Sequence, residues 1–387
     1  MFISRIKLKN WMNFTDAEVR LNRRAFLVGP NASGKSNFLD AIRFVRDIAG
    51  SDGSLDRALT RRGDITKIRS LAARRYPDVE LSFDLSDNGP ENPTWTYVLA
   101  FRKQKGGVNR TVISRETVFH HGEKILDRPD ADDAKDEMRL TQTHLEQITA
   151  NKEFRDIATF FSELRYIHLV PQIIRQPEVF FSGKAGSDEE AFGFRFLESI
   201  ARTNKNTREA RLRKIETALR YAVPQLKNLT LEKDDYGVPH LEAIYEHWRD
   251  NNAGRQREAQ FSDGTIRLIG LLWSILDTNA LLLLEEPELS LHPGVVRHLA
   301  PMMYRIGRQA RVRPQILVST HSPDLLSDTG IAAEEIVLFQ PSSEGTQLTL
   351  ASQIDEVRIL LESGLTPGEV VIPRSAPKES VQLGLFS

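Results

Sequence analysis

Eight consecutive residues have the types and spacing to hold a triphosphate: Gly29-Pro30-Asn31-Ala32-Ser33-Gly34-Lys35-Ser36. They match G-x-x-x-x-G-K-[ST] in full. Glycines let the backbone curl so that successive N–H groups converge on phosphate oxygens. A helix that follows adds the positive end of its dipole. Lys35 is expected to reach the β- and γ-phosphates, and the Ser36 hydroxyl to bind Mg²⁺. Asn31, Ala32, Ser33, Gly34 and Asn37 complete the expected cradle for ATP.

Two further segments pair an apolar run with polar residues. Leu281-Leu282-Leu283-Leu284 ends in Glu285-Glu286-Pro287. Ligands gather at strand C-termini in parallel α/β sheets. Successive side chains point to opposite sides, so the two acids do different jobs. Glu285 is the candidate Mg²⁺ ligand, and Glu286 the candidate general base that polarises the attacking water. Gln315-Ile316-Leu317-Val318-Ser319-Thr320 runs into His321, a second candidate catalytic residue at the γ-phosphate or the attacking water. Phe261-Ser262-Asp263-Gly264-Thr265 precedes an apolar helix pattern and, taken alone, is an N-cap.

These residues need elements to hold them. Residues 2–8, 18–21, 25–28, 78–85, 95–102 and 111–119 have strand patterns. The run Ala25–Val28 is apolar throughout, as for a strand buried on both faces. Phe38, Leu39, Ile42, Phe44 and Val45 give a helical stripe directly after the loop. From about 130 to 225 strand signals fade, and 131–161 and 206–221 carry helical spacing, which suggests an inserted helical lobe. Strand–helix alternation returns over 265–339. From about Gly364 the residues read as a tail.

The chain has 387 residues, with 52 Lys+Arg against 53 Asp+Glu, so its overall charge does not mark it as a nucleic-acid binder. It has no cysteine, which excludes disulfides, Fe–S clusters and thiolate zinc sites. Its apolar runs are too short to span a bilayer, so no membrane partner and a cytoplasmic location are expected.

The order of these motifs resembles the ABC-type ATPase heads of the SMC and RecF group, and within it the stand-alone ATPases related to the OLD family. Ile6-Lys7-Leu8-Lys9-Asn10 with Asn13-Phe14 also resembles that group. The resemblance covers about residues 1–120 and 225–340. It implies an α/β fold: a P-loop NTPase head of ABC type with a mixed sheet and an inserted helical lobe. The expected parts are 1–125 with the P-loop, 126–225 as the insertion, 226–350 with the remaining motifs, and 351–387 as a C-terminal helix and tail. Phe261–Thr265 stands where the ABC signature stands, so Ser262 and Gly264 would bind the γ-phosphate held by a second copy's P-loop. Glu288–His292 would be the D-loop between the two heads. ATP binding would close a homodimer or higher oligomer, and hydrolysis would open it.

Three features depart from that pattern. Glu285 stands where an Asp is usual, the signature is Ser-Asp-Gly rather than Ser-Gly-Gly, and no glutamine can be assigned to the Q-loop. The spacing of about 225 residues between Ser36 and Ser262 leaves no room for a long coiled-coil arm. The 66 residues after His321 hold no Asp-x-Asp pair, so a nuclease is expected on a partner effector rather than on this chain. The leading expectation is an ATP-driven switch controlling such an effector in response to nucleic acid, as in anti-phage defence. The alternatives are a RecF-like DNA-repair ATPase acting directly on DNA and, against the signature, a transporter subunit.

Basic residues at 57–75 and 202–214 suit either a DNA or RNA backbone or a solvated face. Gln382-Leu383-Gly384-Leu385-Phe386 resembles the peptide by which bacterial proteins dock on the sliding clamp. Packing on the chain's own body, or on a dedicated partner's pocket, is the other reading of that segment.

Overall fold

The computed structural model describes residues 1–71, 78–104, 110–176, 192–246, 254–277, 280–309 and 313–375. Arg74, Arg75 and the 382–386 motif lie outside the described residues. The chain forms two compact units. The first comprises Met1–Leu164, Ala280–Leu283 and Val312–Ser387; the second comprises Arg165–Asn279 and Leu284–Arg311. The division at Leu164 falls inside the stretch read as one helical insertion.

Two sheets build the first unit. One is antiparallel, in the order β2 (Phe14–Arg20), β1 (Phe2–Trp11), β4 (Val79–Ser86), β5 (Trp95–Lys103), β6 (Thr111–His120), β7 (Glu123–Arg128). The other has β3 (Arg24–Val28) at its centre, flanked in parallel by β13 (Ile316–Thr320) and β14 (Ile336–Ser342). β15 (Gly345–Leu350) returns antiparallel on β14, and β12 (Leu282–Glu285) lies beyond β13. Every residue of β3 is buried, which is why it reads as an unbroken apolar run. The buried carboxamide of Gln315 joins the two sheets. Its Oε1 accepts from Ile3 N–H at 2.8 Å, and its Nε2 donates to the carbonyls of Ile3 at 2.8 Å and Asn22 at 2.9 Å.

Helix α1 (Lys35–Ala49) follows the loop and buries Phe38, Leu39, Ile42 and Val45. Phe38 packs edge-on to Phe14 and Phe339, and Phe44 meets Trp11 at 5.2 Å. The Arg62 guanidinium holds Asp40 and Asp47 of the same helix at 2.7–3.0 Å.

The helix expected over 131–161 is not continuous. Only Ala131–Lys135 and α2 (Arg155–Ser162) are α-helical. The cause is a fully buried ion cluster. Arg128 donates to Glu116 at 2.9 Å, to Asp133 at 2.8 and 2.9 Å, and to the carbonyls of Arg139 and Gln142 at 3.0 Å. Glu116 in turn accepts the N–H groups of His144 and Leu145. A backbone that spends its polar groups on one buried cation cannot also run a helical ladder. The tail expected from Gly364 is corrected as well: Pro367–Ser375 is helical, with Val370 and Val371 buried.

The second unit carries β8 (Arg165–Ile167), α3 (Lys205–Leu219), and a three-stranded sheet of β9 (Leu226–Lys233), β10 (Pro239–Tyr245) and β11 (Gly254–Arg257). It also holds α4 (Asp263–Asp277) and α5 (Leu299–Gln309). A separate short helix, Pro293–Val296, precedes α5. That three-stranded sheet was not anticipated. Its strands alternate weakly, and β11 is polar throughout, so no period-2 signal stands out. Among the described residues, no helix is long and apolar enough to cross a membrane.

Arg128→Met should cost about 3–5 kcal/mol in urea unfolding, because Glu116 and Asp133 are left buried and uncompensated. Burial raises the pKa of Asp133, but the hydrogen bonds from Arg128 and the Asp130 N–H, with the charges of Arg128 and Arg139, together outweigh it and hold the carboxyl at about 2, below its ordinary 3.8. A depressed carboxyl stabilises the fold above its unfolded value and loses that contribution as pH falls toward 2. The variant should therefore lose less stability than the wild type between pH 4 and pH 2; parallel acid-unfolding curves would contradict this.

Candidate functional site

β3 delivers the chain at Val28 into the loop, and the loop needs its glycines. Gly34 sits at φ 96°, and a Cβ there would lie 2.0 Å from Asn13 Nδ2. A Cβ on Gly29 would lie 2.8 Å from Phe339 and from Ser33 Oγ. The rear of the loop is tied down through the Ser33 carbonyl, which accepts from Asn13 Nδ2 at 3.0 Å and from Thr346 Oγ1 at 2.8 Å. Asn37 donates to Asn13 Oδ1 at 2.7 Å. Its side chain thus supports the loop from behind.

The loop's inner chemistry suits an anion. Lys35 Nζ donates to the loop's own carbonyls, Gly29 at 2.8 Å and Pro30 at 3.0 Å. Ser33 Oγ is buried with no hydrogen-bond partner. The N-cap of α1 is Gly34 with no side-chain cap, and no acid lies in the helix's first turn. An ammonium, a buried hydroxyl and a helix N-terminus are the donor set a triphosphate requires. Asn31, Ala32 and Ser36 are exposed along this loop. The Ser36 hydroxyl and the Glu285 carboxylate are both hard oxygen donors of the kind Mg²⁺ takes.

Three strands of the first unit start along one edge. Ile316 N–H donates to Arg23 C=O at 2.7 Å, and Leu282 N–H donates to Gln315 C=O at 2.8 Å. β3 and β13 run parallel, so they deliver the loop and His321 from neighbouring strand ends. Ser319 Oγ is buried with no partner, and His321 is exposed. The turn after His321 is held by α6 (Pro367–Ser375): a Cβ on Gly368 would lie 2.4 Å from Pro323 C=O. β12 carries the chain into the second unit, to which Glu285 and Glu286 belong.

Within that second unit the acidic pair and the Ser262 segment are physically connected. Tyr166 donates its hydroxyl to Glu285 Oε2, and His168 Nδ1 lies 3.3 Å from Glu285 C=O. Glu286 sits at φ 45° and Ser290 at φ 61°. Left-handed backbone on non-glycine residues costs about 1–3 kcal/mol and clusters at functional turns. The Ser290 carbonyl lies 2.7 Å from where a Cβ on Gly264 would stand, so only glycine fits. Ser262 is exposed and caps α4: its Oγ accepts from Thr265 N–H at 3.2 Å and pairs with Thr265 Oγ1 at 2.8 Å. Burial lowers the pKa of Arg267 on α4, against the opposing pull of Asp263, Glu286 and Glu288.

Sequence reading missed Tyr166, Gln172 and Arg175. They lie in a stretch read as helical, where a three-residue strand has no measurable period. Val170-Pro171 could have flagged the change, since proline favours the first position of a helix. The basic run at 57–75 is partly spent on ion pairs, Arg62 above all. The run at 202–214 lines a cleft of about 710 Å³ between α3 and β9, with Lys205, Arg208, Arg213 and Lys233 in its walls. Among the described residues, no cluster of His, Asp and Glu has the form of a separate metal site.

A loop cradle behind a buried strand, an acidic strand end, a histidine strand end and a serine-led helix define a P-loop ATPase domain of the ABC type, of the RecF and SMC group. Residues 24–327 match the family described as AAA domain, putative AbiEii toxin, Type IV TA system, and the chain belongs to that family. It is 32% identical over 94 residues to the DNA replication and repair protein RecF of Synechocystis, and 34% identical over 91 residues to that of Bacillus cytotoxicus. Each match spans about a quarter of the relative's length, 24%. In fold it resembles the SmcHead bound to the C-winged helix domain of ScpA, with TM-score 0.54, 15% identity, and 90% and 98% of the two chains covered. A Pyrococcus furiosus Smc head bound to the C-terminal domain of ScpA gives TM-score 0.52, 14% identity, and 94% and 99% coverage.

Asn13→Ala removes one of two bonds to the Ser33 carbonyl and strands the Asn37 amide. It should cost about 1–3 kcal/mol in urea unfolding. Affinity for a fluorescent ATP analogue should fall about tenfold, the equivalent of 1.4 kcal/mol. Wild-type affinity would show that the loop holds its shape without this anchor.

Proposed function

We propose that this chain is an ATP-driven switch in which two copies clamp ATP between them. One copy's loop, through Lys35, Ser36 and the backbone of 31–37, grips the triphosphate. The other copy's Ser262 and Gly264 meet the γ-phosphate at the exposed N-terminus of α4. The observation that carries this reading is the coexistence of an uncapped anion cradle and an exposed, serine-led tip on a fifteen-residue helix. Each is half of a phosphate site.

Bound Mg²⁺ would neutralise charge building on the phosphates. Ser36 and Glu285 are the residues to hold it. Glu286, which follows β12 with left-handed backbone, takes a proton from the attacking water. His321 orients that water or bonds the γ-phosphate. Binding energy released on closure drives the switch, since only a ligand that prefers the closed state shifts the equilibrium.

The output of such a switch is a partner effector. The family description, AAA domain, putative AbiEii toxin, Type IV TA system, supports a role in defence; nucleic acid is the trigger in this reading. The matches to RecF support a second reading, in which the ATPase acts on DNA directly. DNA-stimulated hydrolysis by the chain alone would favour the second reading. Hydrolysis that responds only with a co-purifying effector would favour the first.

Lys35→Ala should abolish ATP binding in equilibrium dialysis; retained affinity would refute the cradle. Glu286→Gln should bind ATP, hydrolyse it at least about a hundredfold more slowly, and accumulate as dimers. Wild-type turnover would show that another group is the base.

A further inference from the structure

Two adjacent arginines at the start of β3 are treated differently by the fold. Arg24 is buried and held by Glu335, which accepts from its Nε at 3.0 Å and from its Nη2 at 2.6 Å. Arg23 is half-buried, and among the described residues it has no carboxylate within ion-pair distance. It donates instead to the carbonyls of Arg313 at 3.2 Å and Asp87 at 2.7 Å, and its guanidinium lies 4.5 Å from the centre of the Phe2 ring. These contacts fix the direction of the side chain but leave its charge unbalanced.

A second cation shares the space. Arg313 is exposed and lines, with Arg23, one cavity of about 650 Å³ bordered by Phe2 and the segment 87–90. The acid in that wall, Asp87, is already engaged: Oδ1 lies 3.3 Å from the Met1 amino group, and Oδ2 accepts from the Thr94 hydroxyl at 2.8 Å. Burial, and after it the charge of Arg313, lower the pKa of Arg23, and Asp87 only partly offsets them. Guanidiniums are planar forks that match the oxygens of a phosphoryl group in pairs. Two of them balance a dianion, whereas a single carboxylate would leave one charge over.

The place of this pair in the fold sets it apart from the nucleotide cradle. Arg23 stands immediately before β3, and Arg313 just before β13. The two strands run parallel from a common start, with Ile316 opposite Arg24 and Thr320 opposite Val28. Their other ends lead into the Gly29–Ser36 loop and His321. Five residues of strand, about 17 Å, lie between the arginine pair and that end.

We propose that Arg23 and Arg313 form a second anion site, which takes a phosphoryl dianion at the starts of β3 and β13. Arg23 is the fixed fork, aimed by two carbonyls and the Phe2 ring. Arg313 is the exposed fork that meets the ligand from the solvent side. The phosphoryl group comes either as the free ion or as a monoester on a larger molecule.

The test is isothermal titration calorimetry of the full chain in phosphate-free buffer, with the cradle saturated by a non-hydrolysable ATP analogue and Mg²⁺. Inorganic phosphate and glycerol 3-phosphate are the two probes. At least one should bind with a Kd below about 1 mM, and the tighter of the two identifies the source. Acetate should bind at least about tenfold more weakly than that probe; equal binding would overturn the dianion assignment. Arg313→Ala removes an exposed side chain that makes no hydrogen bond or ion pair among the described residues. It should weaken binding of the tighter probe at least about tenfold, while affinity for the ATP analogue stays within about twofold.

Wild-type phosphate affinity in Arg313→Ala overturns the site, as does failure of both probes to bind the wild-type chain below about 1 mM. Failure of the ATP analogue to bind would sink the switch reading above, not this one. The comparison of wild type with Arg313→Ala still decides the site in that case, because the cradle is the same in both chains.

Discussion

The whole arrangement depends on one constraint: a loop of polar backbone must be held open around the space an anion will fill. Lys35 crosses the loop, donating its Nζ to the carbonyls of Gly29 and Pro30. The loop is anchored from behind by the pair of bonds to the Ser33 carbonyl from Asn13 and Thr346. Those two residues come from the β1–β2 turn and from β15, at opposite ends of the chain. Asn13 can come this close only because Gly34 has no side chain. The glycine thus gives the loop its left-handed turn and also admits the group that anchors it.

A second constraint acts in the other unit, where the N-terminus of α4 is exposed yet held rigid. Ser262 caps its own helix, Gly264 lets the Ser290 carbonyl approach, and Arg175 cancels the charge of Asp263. The departure from Ser-Gly-Gly to Ser-Asp-Gly therefore comes with a physical compensation. The chain around Glu286 and Ser290 carries left-handed backbone on both residues. Strain of this kind persists only where neighbours fix the turn, and Gly264 is one of those neighbours.

Much of this could be read from sequence because it is local. The loop is eight contiguous residues with fixed chemistry. The strands that feed His321 and Glu285 are apolar runs buried on both faces, and α1 has an unbroken stripe. What escaped was long-range or very short. Thr346 supports Ser33 from more than three hundred positions away, and Gln315 joins two sheets through a single carboxamide. β8 has three residues, too few to show a period, yet it carries Tyr166. The region 131–161 has helical spacing but is not one helix, because Arg128 draws its backbone into a buried ion cluster that no periodicity encodes. Gln172, on the helix after β8, donates to Asp263 from more than ninety positions away.

The central claim is that a working site takes its cradle from one copy and its tip from another. Mixing two inactive variants tests it most directly. A Lys35→Ala chain lacks a cradle but keeps a tip, and a Ser262→Arg chain lacks a tip but keeps a cradle. Their mixed dimer contains one intact composite site, so ATP hydrolysis should reappear on mixing and rise with the fraction of mixed dimer. A mixture as inactive as each variant alone, with mixed dimers present in solution, would contradict the account.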